Sequence, residues 1–493
     1  MLELSYFIVI LYSISILLVF FYSIAQFNLL LNYLKSKKIK DQSVQFDFSK
    51  LDEIPYVTIQ LPIFNEKYVI ERLLTTIAQL EYPREKLEIQ VLDDSTDDSV
   101  IDTALLIEKI AATGIDIKQI KRTKRSGFKA GALKEGLVGA KGEFIAIFDA
   151  DFVPQKDWLY KTIPYFKDPK IGVVQTRWGH LNRDYSILTK IQAFALDAHF
   201  TLEQVGRNSK EHFINFNGTA GVWRKQCILD AGNWESDTLT EDLDLSYRAQ
   251  LKNWKFKYLE QVETPAELPA IISAARSQQF RWNKGGAENF SKNAIRLMQS
   301  ESTGFKTKVH GVLHLLNSTM FLAVFIMAIL SVPVLYIKNK YIQFDAIFDI
   351  LVFFVISSLL FFISYWVTFK NLHGGGFKNF LRYTSMFMTF YTIVMGFSFH
   401  NTLAVLEGLW GKKSEFIRTP KLNIEGLKDK WKQNTYLSKK ISKNIFIEGG
   451  LIFYFIFGIY SAVLLNDYSI IALHLMLVTG FTFVFVKSIT DNN

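Results

Sequence analysis

Apolar and polar positions divide the chain into three unlike stretches. Residues Tyr6 to Leu34 are almost uninterruptedly apolar, long enough to cross a hydrocarbon core of ~30 Å. From Tyr56 to about Phe290 the pattern alternates: Val57–Leu61 reads as a strand, Glu66–Leu80 has helical spacing, Leu87–Leu92 is a second strand and Ser99–Ala112 is helical again. Strand, helix, strand in that order predicts a parallel sheet, whose ligands bind beyond the carboxyl ends of its strands. The third stretch returns to apolar runs at Leu313–Ile337, Ile347–Phe369, Ile445–Leu465 and Ile470–Val486, each read as a span. The expected architecture is an N-terminal anchor with its basic flank over 1–40, an α/β domain over 50–295 and a membrane domain over 296–493.

Charge orients this arrangement. Lys35, Lys37, Lys38 and Lys40 follow the first apolar run and place its C-terminal side in the cytoplasm. A cleaved signal peptide is the competing reading, but no basic residue precedes the run, Glu3 is acidic, and no small-residue cleavage site follows. The run Phe380–Trp410 carries Arg382, His400, Asn401 and Glu407. Were it to cross, the lysine-rich segment 411–444 would lie outside, against the positive-inside rule. An interfacial or re-entrant helix there leaves five crossings and an extracytoplasmic N-terminus. Composition agrees with a membrane protein: 49% of residues are hydrophobic, 15% are aromatic, and the mean hydropathy is +0.14. The net charge of +9 suits anionic lipid and phosphorylated substrates. Its basic residues are spread rather than clustered with stacking aromatics, which argues against nucleic acid. The single cysteine, Cys227, excludes an internal disulfide and a cysteine metal site.

Candidate chemistry centres on Phe148–Pro154, where the apolar run Phe144–Ile147 ends and Asp149 and Asp151 follow. On a strand, residues i and i+2 point the same way. Two carboxylates so placed converge, and a divalent cation carrying a phosphate relieves their repulsion. A solvated turn is the plainer alternative. Asp93 and Asp94 stand at the end of the second strand, positioned to grip a nucleotide, while Asp97 and Asp98 are expected to cap the next helix. Lys129 lies among glycines in Arg125–Lys134, within reach of a phosphate. Further on come the Gly-rich Phe216–Arg224, then Thr240, Glu241 and Asp242 at a helix start, where an acidic residue is also favoured by the helix dipole. Gln278, Arg281 and Trp282 follow on one helix, a set suited to a diphosphate and a sugar ring.

In this order, Asp93-Asp94, Asp149-Ala-Asp151, Thr240-Glu-Asp242 and Gln278-x-x-Arg281-Trp282 resemble the D, D-x-D, T-E-D, Q-x-x-R-W series of membrane-embedded family 2 glycosyltransferases, the cellulose synthase superfamily. Within it, Gly127–Gly136, Phe216–Trp223 and Glu267–Pro269 look most like the cellulose-synthase-like glucomannan (mannan) synthases. The resemblance implies a GT-A (Rossmann-like) cytosolic domain and a processive, inverting hexosyltransferase using UDP-glucose or GDP-mannose. Asp149 and Asp151 would hold Mg²⁺ or Mn²⁺ on the diphosphate, and Asp93 and Asp94 would contact the nucleoside. Lys129, Gln278 and Arg281 would bind the donor. Asp242 would take the acceptor proton, and Thr240, Glu241 and Trp282 would meet the acceptor. Phe152 stands where cellulose synthases tend to carry a histidine that can join the metal. Phe416, Thr419 and Lys421 are similar to a gating loop that covers the nucleotide, with Arg418 at its valine position; a basic surface loop is the alternative.

The implied partners are a nucleotide sugar, a glycan or lipid-linked acceptor, membrane lipids and a separate export or regulatory protein. A single-addition transferase acting on a lipid shares the catalytic motifs, whereas a membrane transporter accounts for the spans but not for the ordered carboxylates. Only Lys487–Asn493 follows the last apolar run, so control by an attached second-messenger domain is not expected. The implied location is an inner cytoplasmic membrane with the catalytic domain in the cytosol.

Overall fold

The structure, a computed structural model, describes residues 2–38, 53–414, 417–426, 429, 434–436 and 442–491. Its centre is a 7-stranded sheet ordered β3-β2-β1-β4-β6-β5-β7. The strands are β1 Val57–Ile63, β2 Leu87–Asp93, β3 Asp116–Lys121, β4 Phe144–Ile147, β5 Ile171–His180, β6 Gly221–Arg224 and β7 Lys255–Ala266. β1 pairs in parallel with both β2 and β4, and β2 with β3. β6 runs antiparallel to β4 and to β5, and β5 is parallel to β7. The sheet is therefore mixed, where the first strands alone predict a parallel one. The Gly-rich stretch turns back as a loop over 216–220 and is extended only from Gly221.

From β1 the chain moves outward through β2 to β3, then returns to lay β4 on the other side of β1. Such a reversal opens a crevice at the carboxyl ends of the two strands. Both sheet faces are covered. Phe144 and Ala146 pack with Leu73 and Ile77 of helix α2 (Ile70–Ala78) on one side, and helix α3 (Ser99–Ala111) adds Ile107 there. Ile145 and Ile147 pack on the other with Leu133 of α4 (Phe128–Val138) and Trp223. This alternation within four consecutive apolar residues is the side-chain period of a strand buried on both faces.

Further helices include α1 Leu2–Ser36, α5 Ile187–Ala198, α6 Glu241–Leu251, α7 Ile272–Gln299, α8 Phe305–Leu315, α9 Met320–Lys340, α10 Ile356–His373, α11 Phe377–Leu409, α12 Asn444–Leu464 and α13 Ile471–Thr490. Among the described residues, 5 stretches are long and apolar enough to cross a membrane: Leu2–Ser36, Asn317–Lys340, Ile342–His373, Asn444–Leu464 and Tyr468–Thr490. Helix α11 is not among them. It crosses α13 where glycine meets glycine, since a Cβ on Gly396 would stand 2.2 Å from the Gly480 carbonyl oxygen. Large apolar side chains such as Phe7, Phe21, Phe446 and Phe453 are exposed on α1 and α12, a surface that calls for lipid.

Candidate active site

Three strand ends and two helices build the crevice. Glu66 follows β1, Asp94 follows β2, and Asp149 and Asp151 follow β4. The strand stops at Ile147, so a turn, not strand alternation, presents the two aspartates. All of them line one cavity together with Lys129, Thr240, Glu241, Asp242, Gln278, Arg281, Trp282, Thr419 and Lys421. Thus nearly every residue singled out in the sequence, from positions spread over the whole α/β domain and beyond, reaches a single space. Asp93 does not. It is buried and accepts from Ser95 N at 2.9 Å and Gln119 Nε2 at 2.6 Å, shaping the turn that presents Asp94. Phe416 lies outside the described residues.

Opposite charges meet throughout the cavity. Lys129 Nζ is 2.5 Å from Asp149 Oδ1 and donates to the Gly218 carbonyl at 2.9 Å. Lys421 Nζ is 2.7 Å from Asp151 Oδ2. Arg122 pairs with both oxygens of Asp94, at 2.9 Å and 2.5 Å. Among the described residues, Asp151 Oδ1 is buried without a hydrogen-bond partner. A buried, unsatisfied oxygen beside a second carboxylate is the hard donor set that Mg²⁺ or Mn²⁺ takes, so these residues fit the expected metal. Another acidic group with ligand spacing, Glu235, Asp237 and Asp244, is held by the Lys292 ammonium at 2.7, 2.8 and 3.1 Å.

Burial raises the Asp242 carboxyl to about 7, and neighbouring Glu241 pushes it the same way against the pull of Lys129. Burial likewise raises Glu241 and lowers Arg281. Gly218 sits at φ +79°, and a Cβ there would stand 3.2 Å from Asp242 Oδ2 and 3.5 Å from Lys129 Nζ. Only glycine suits that backbone, and the loop 216–220 presses against both charged groups because of it.

The segment 417–426 lies across the cavity. Thr419 Oγ1 accepts from Arg281 at 2.9 Å, and Arg418 pairs with Glu66 at 2.5 Å. The departure from valine at position 418 thus has a partner, and burial raises Glu66 to about 7 despite it. Downstream, the Glu267 carboxylate accepts from the Leu422 and Asn423 backbone at 2.9 and 3.0 Å. A second cavity of about 440 Å³ opens from the first at Trp178, Asn217, Thr240, Asp242 and Trp282. It runs on between α1, α10 and α11, past Tyr22, Phe361, Tyr365, Phe390 and Phe397. Sequence reasoning missed Trp178 and Asn217, although Asn217 stands inside the Gly-rich stretch that it marked.

Residues 55–285 match the model of a family described as glycosyltransferase like family 2. The chain is 42% identical over 261 residues to glucomannan 4-β-mannosyltransferase 9 of Arabidopsis thaliana, covering 52% of this chain and 49% of that one. It is 34% identical over 385 residues to glucomannan 4-β-mannosyltransferase 2 of the same plant, covering 75% and 68%. The chain spans about half the length of several relatives it matches. A mannosyltransferase from Pyrobaculum calidifontis, solved with GDP-Man and Mn²⁺, superposes with a TM-score of 0.54 at 21% identity, covering 82% of this chain and 100% of that one.

Proposed function

Because the chain belongs to the family 2 glycosyltransferases, we propose that it is a membrane-embedded, inverting hexosyltransferase that extends a β-glycan from a nucleotide-diphosphate sugar. The observation that carries this reading is the position of Asp242, a half-buried carboxylate at the junction of two cavities. The charged cavity takes the donor. The nucleoside end lies toward Asp94 and the diphosphate toward Asp149, Asp151, Lys129, Gln278 and Arg281. Asp149 and Asp151 would hold a divalent metal, which would supply positive charge for the departing diphosphate. Lys129 and Lys421, freed from those carboxylates, turn to the phosphates.

The acceptor sugar stacks on Trp282 with Thr240 and Glu241 beside it. Asp242 accepts the proton of its hydroxyl as that oxygen attacks the anomeric carbon. No second carboxylate is assigned to a covalent intermediate, so one displacement inverts the centre and an α-linked donor yields a β-linkage. The rest of the acceptor leaves through the second cavity, whose aromatic walls suit sugar faces. The loop at Thr419 and Lys421 closes the donor side. The basic residues after α1 support a cytosolic catalytic domain.

The relatives' names favour a mannosyl donor such as GDP-mannose over UDP-glucose. Full-length protein in detergent, given labelled nucleotide hexoses with Mg²⁺ or Mn²⁺, is expected to release nucleotide and build a long product from one donor. Chelator should stop the reaction, and Asp151→Ala should weaken nucleotide binding only when metal is present. Single-sugar lipid products would instead mark a one-addition transferase, and no turnover with any donor overturns the reading.

A further inference from the structure

Beyond the junction, the second cavity is not uniformly apolar. Between α5 and Gln204 the chain makes a single π-helical turn, His199–Glu203, a rare feature often retained at functional sites. It brings two polar side chains, His199 and Glu203, to the cavity wall. His199 Nε2 lies 3.1 Å from Asn217 Nδ2, and Asn217 lines both cavities. His199 Nδ1 is 3.2 Å from Glu203 Oε2, and Arg207 donates to that same oxygen at 3.1 Å. Both contacts fall on Oε2, which leaves Oε1 without a partner among the described residues. Burial would raise the Glu203 carboxyl, but Arg207 and His199 outweigh it and hold it at about 2. Glu203 is therefore ionised and can only accept.

Across the cavity, the Tyr247 hydroxyl donates to the Gly311 carbonyl at 2.9 Å. His314 Nδ1, 2.9 Å from that hydroxyl, must then carry the proton, and Nε2 is left as an acceptor. Among the described residues, the cavity wall thus offers two unengaged acceptors, Glu203 Oε1 and His314 Nε2, with His199 linking Glu203 to Asn217. An acyl chain passing Glu203 would desolvate Oε1 and offer it no hydrogen bond in return. A pyranose supplies hydroxyl donors that can reach such acceptors.

Resting on the proposed glycosyl transfer, we infer that His199, Glu203, Asn217 and His314 form a second acceptor subsite, which binds the hydroxyls of the sugar next to the one being extended. The test compares β-linked disaccharide with monosaccharide as primers of the full-length protein, using the hexose donor that it turns over. Wild type is expected to use the disaccharide at least about tenfold better in kcat/KM, the range of a hydrogen bond to a charged group. Glu203→Gln should collapse that ratio to roughly one. A lesion that merely disturbs folding lowers both rates and keeps the ratio, which would overturn the subsite. So would a wild-type ratio near one, which needs no variant to fold. Failure of the transferase reading itself looks different: no nucleotide is released from any donor, and the subsite falls with it.

Discussion

Asp242 carries the strongest expectation at the scale of a single residue. A general base must be ionised, and burial with Glu241 alongside raises its carboxyl to about 7. The raised form is protonated below that value, so kcat/KM should rise as pH increases through about 7 and flatten above it. Asp242→Asn should lower transfer by about 100-fold or more, abolish that pH limb and leave donor binding nearly intact. A pH profile with nucleotide-binding titration checks it, and retained turnover in the variant removes Asp242 from the role. Gly218 is coupled to the same carboxylate through its close approach. The residue motifs were readable one by one, but Asp93 and Asp94 could not be told apart. Which of two adjacent side chains faces a crevice depends on where the strand ends and the turn begins, and Gln119 on the neighbouring strand claims Asp93.

At the scale of elements, the segment 417–426 and its anchor are where the proposed closure of the donor side is tested. Glu267 grips two backbone amides of that segment, while Lys421 and Arg418 reach forward to Asp151 and Glu66. In the proposed closure, Leu422 is therefore the hinge and 417–421 the part that moves. Lys421→Ala is expected to raise the donor KM or lower kcat by roughly tenfold, the size of a charge-assisted contact made by a closing loop. Steady-state kinetics at varied donor measures it, and unchanged kinetics excludes a role in closure. Element boundaries read from periodicity were good where one rule governs. Phe144–Ile147, apolar throughout and ended by Asp and Pro, is the observed β4. The helix expected from Glu66 begins only at Ile70, because residues 64–69 are drawn into the site loop through Asn65 and Glu66.

The whole molecule depends on how the α/β domain sits on the membrane helices. Arg276 of α7, two residues ahead of Gln278, makes a buried pair with Glu448 of α12 at 2.6 and 2.8 Å. Ser488 of α13 and His400 of α11 surround it. Removing one partner leaves the other charge buried and uncompensated, so Glu448→Gln should destabilise the protein by about 3 kcal/mol. Thermal unfolding in detergent reads this, and an unchanged midpoint would show that the pair is not needed to seat the catalytic domain. The same variant should lower activity with its stability, since α7 carries Gln278, Arg281 and Trp282.

Local rules determined much of this protein from its sequence: the apolar runs by length, the central strands by alternation, and each short motif by its residue types. Each of these is a property of a few neighbouring residues and of water or lipid around them. Tertiary structure alone decided the rest. Packing reversed β6 within the sheet, set Arg418 against Glu66, and brought a π-helical turn from residues 199–203 beside Asn217 and His314. These contacts join residues tens to hundreds of positions apart, and their energies depend on burial. No local pattern carries them, because the low-dielectric space that gives them force exists only once the sheet and the membrane helices have closed around it.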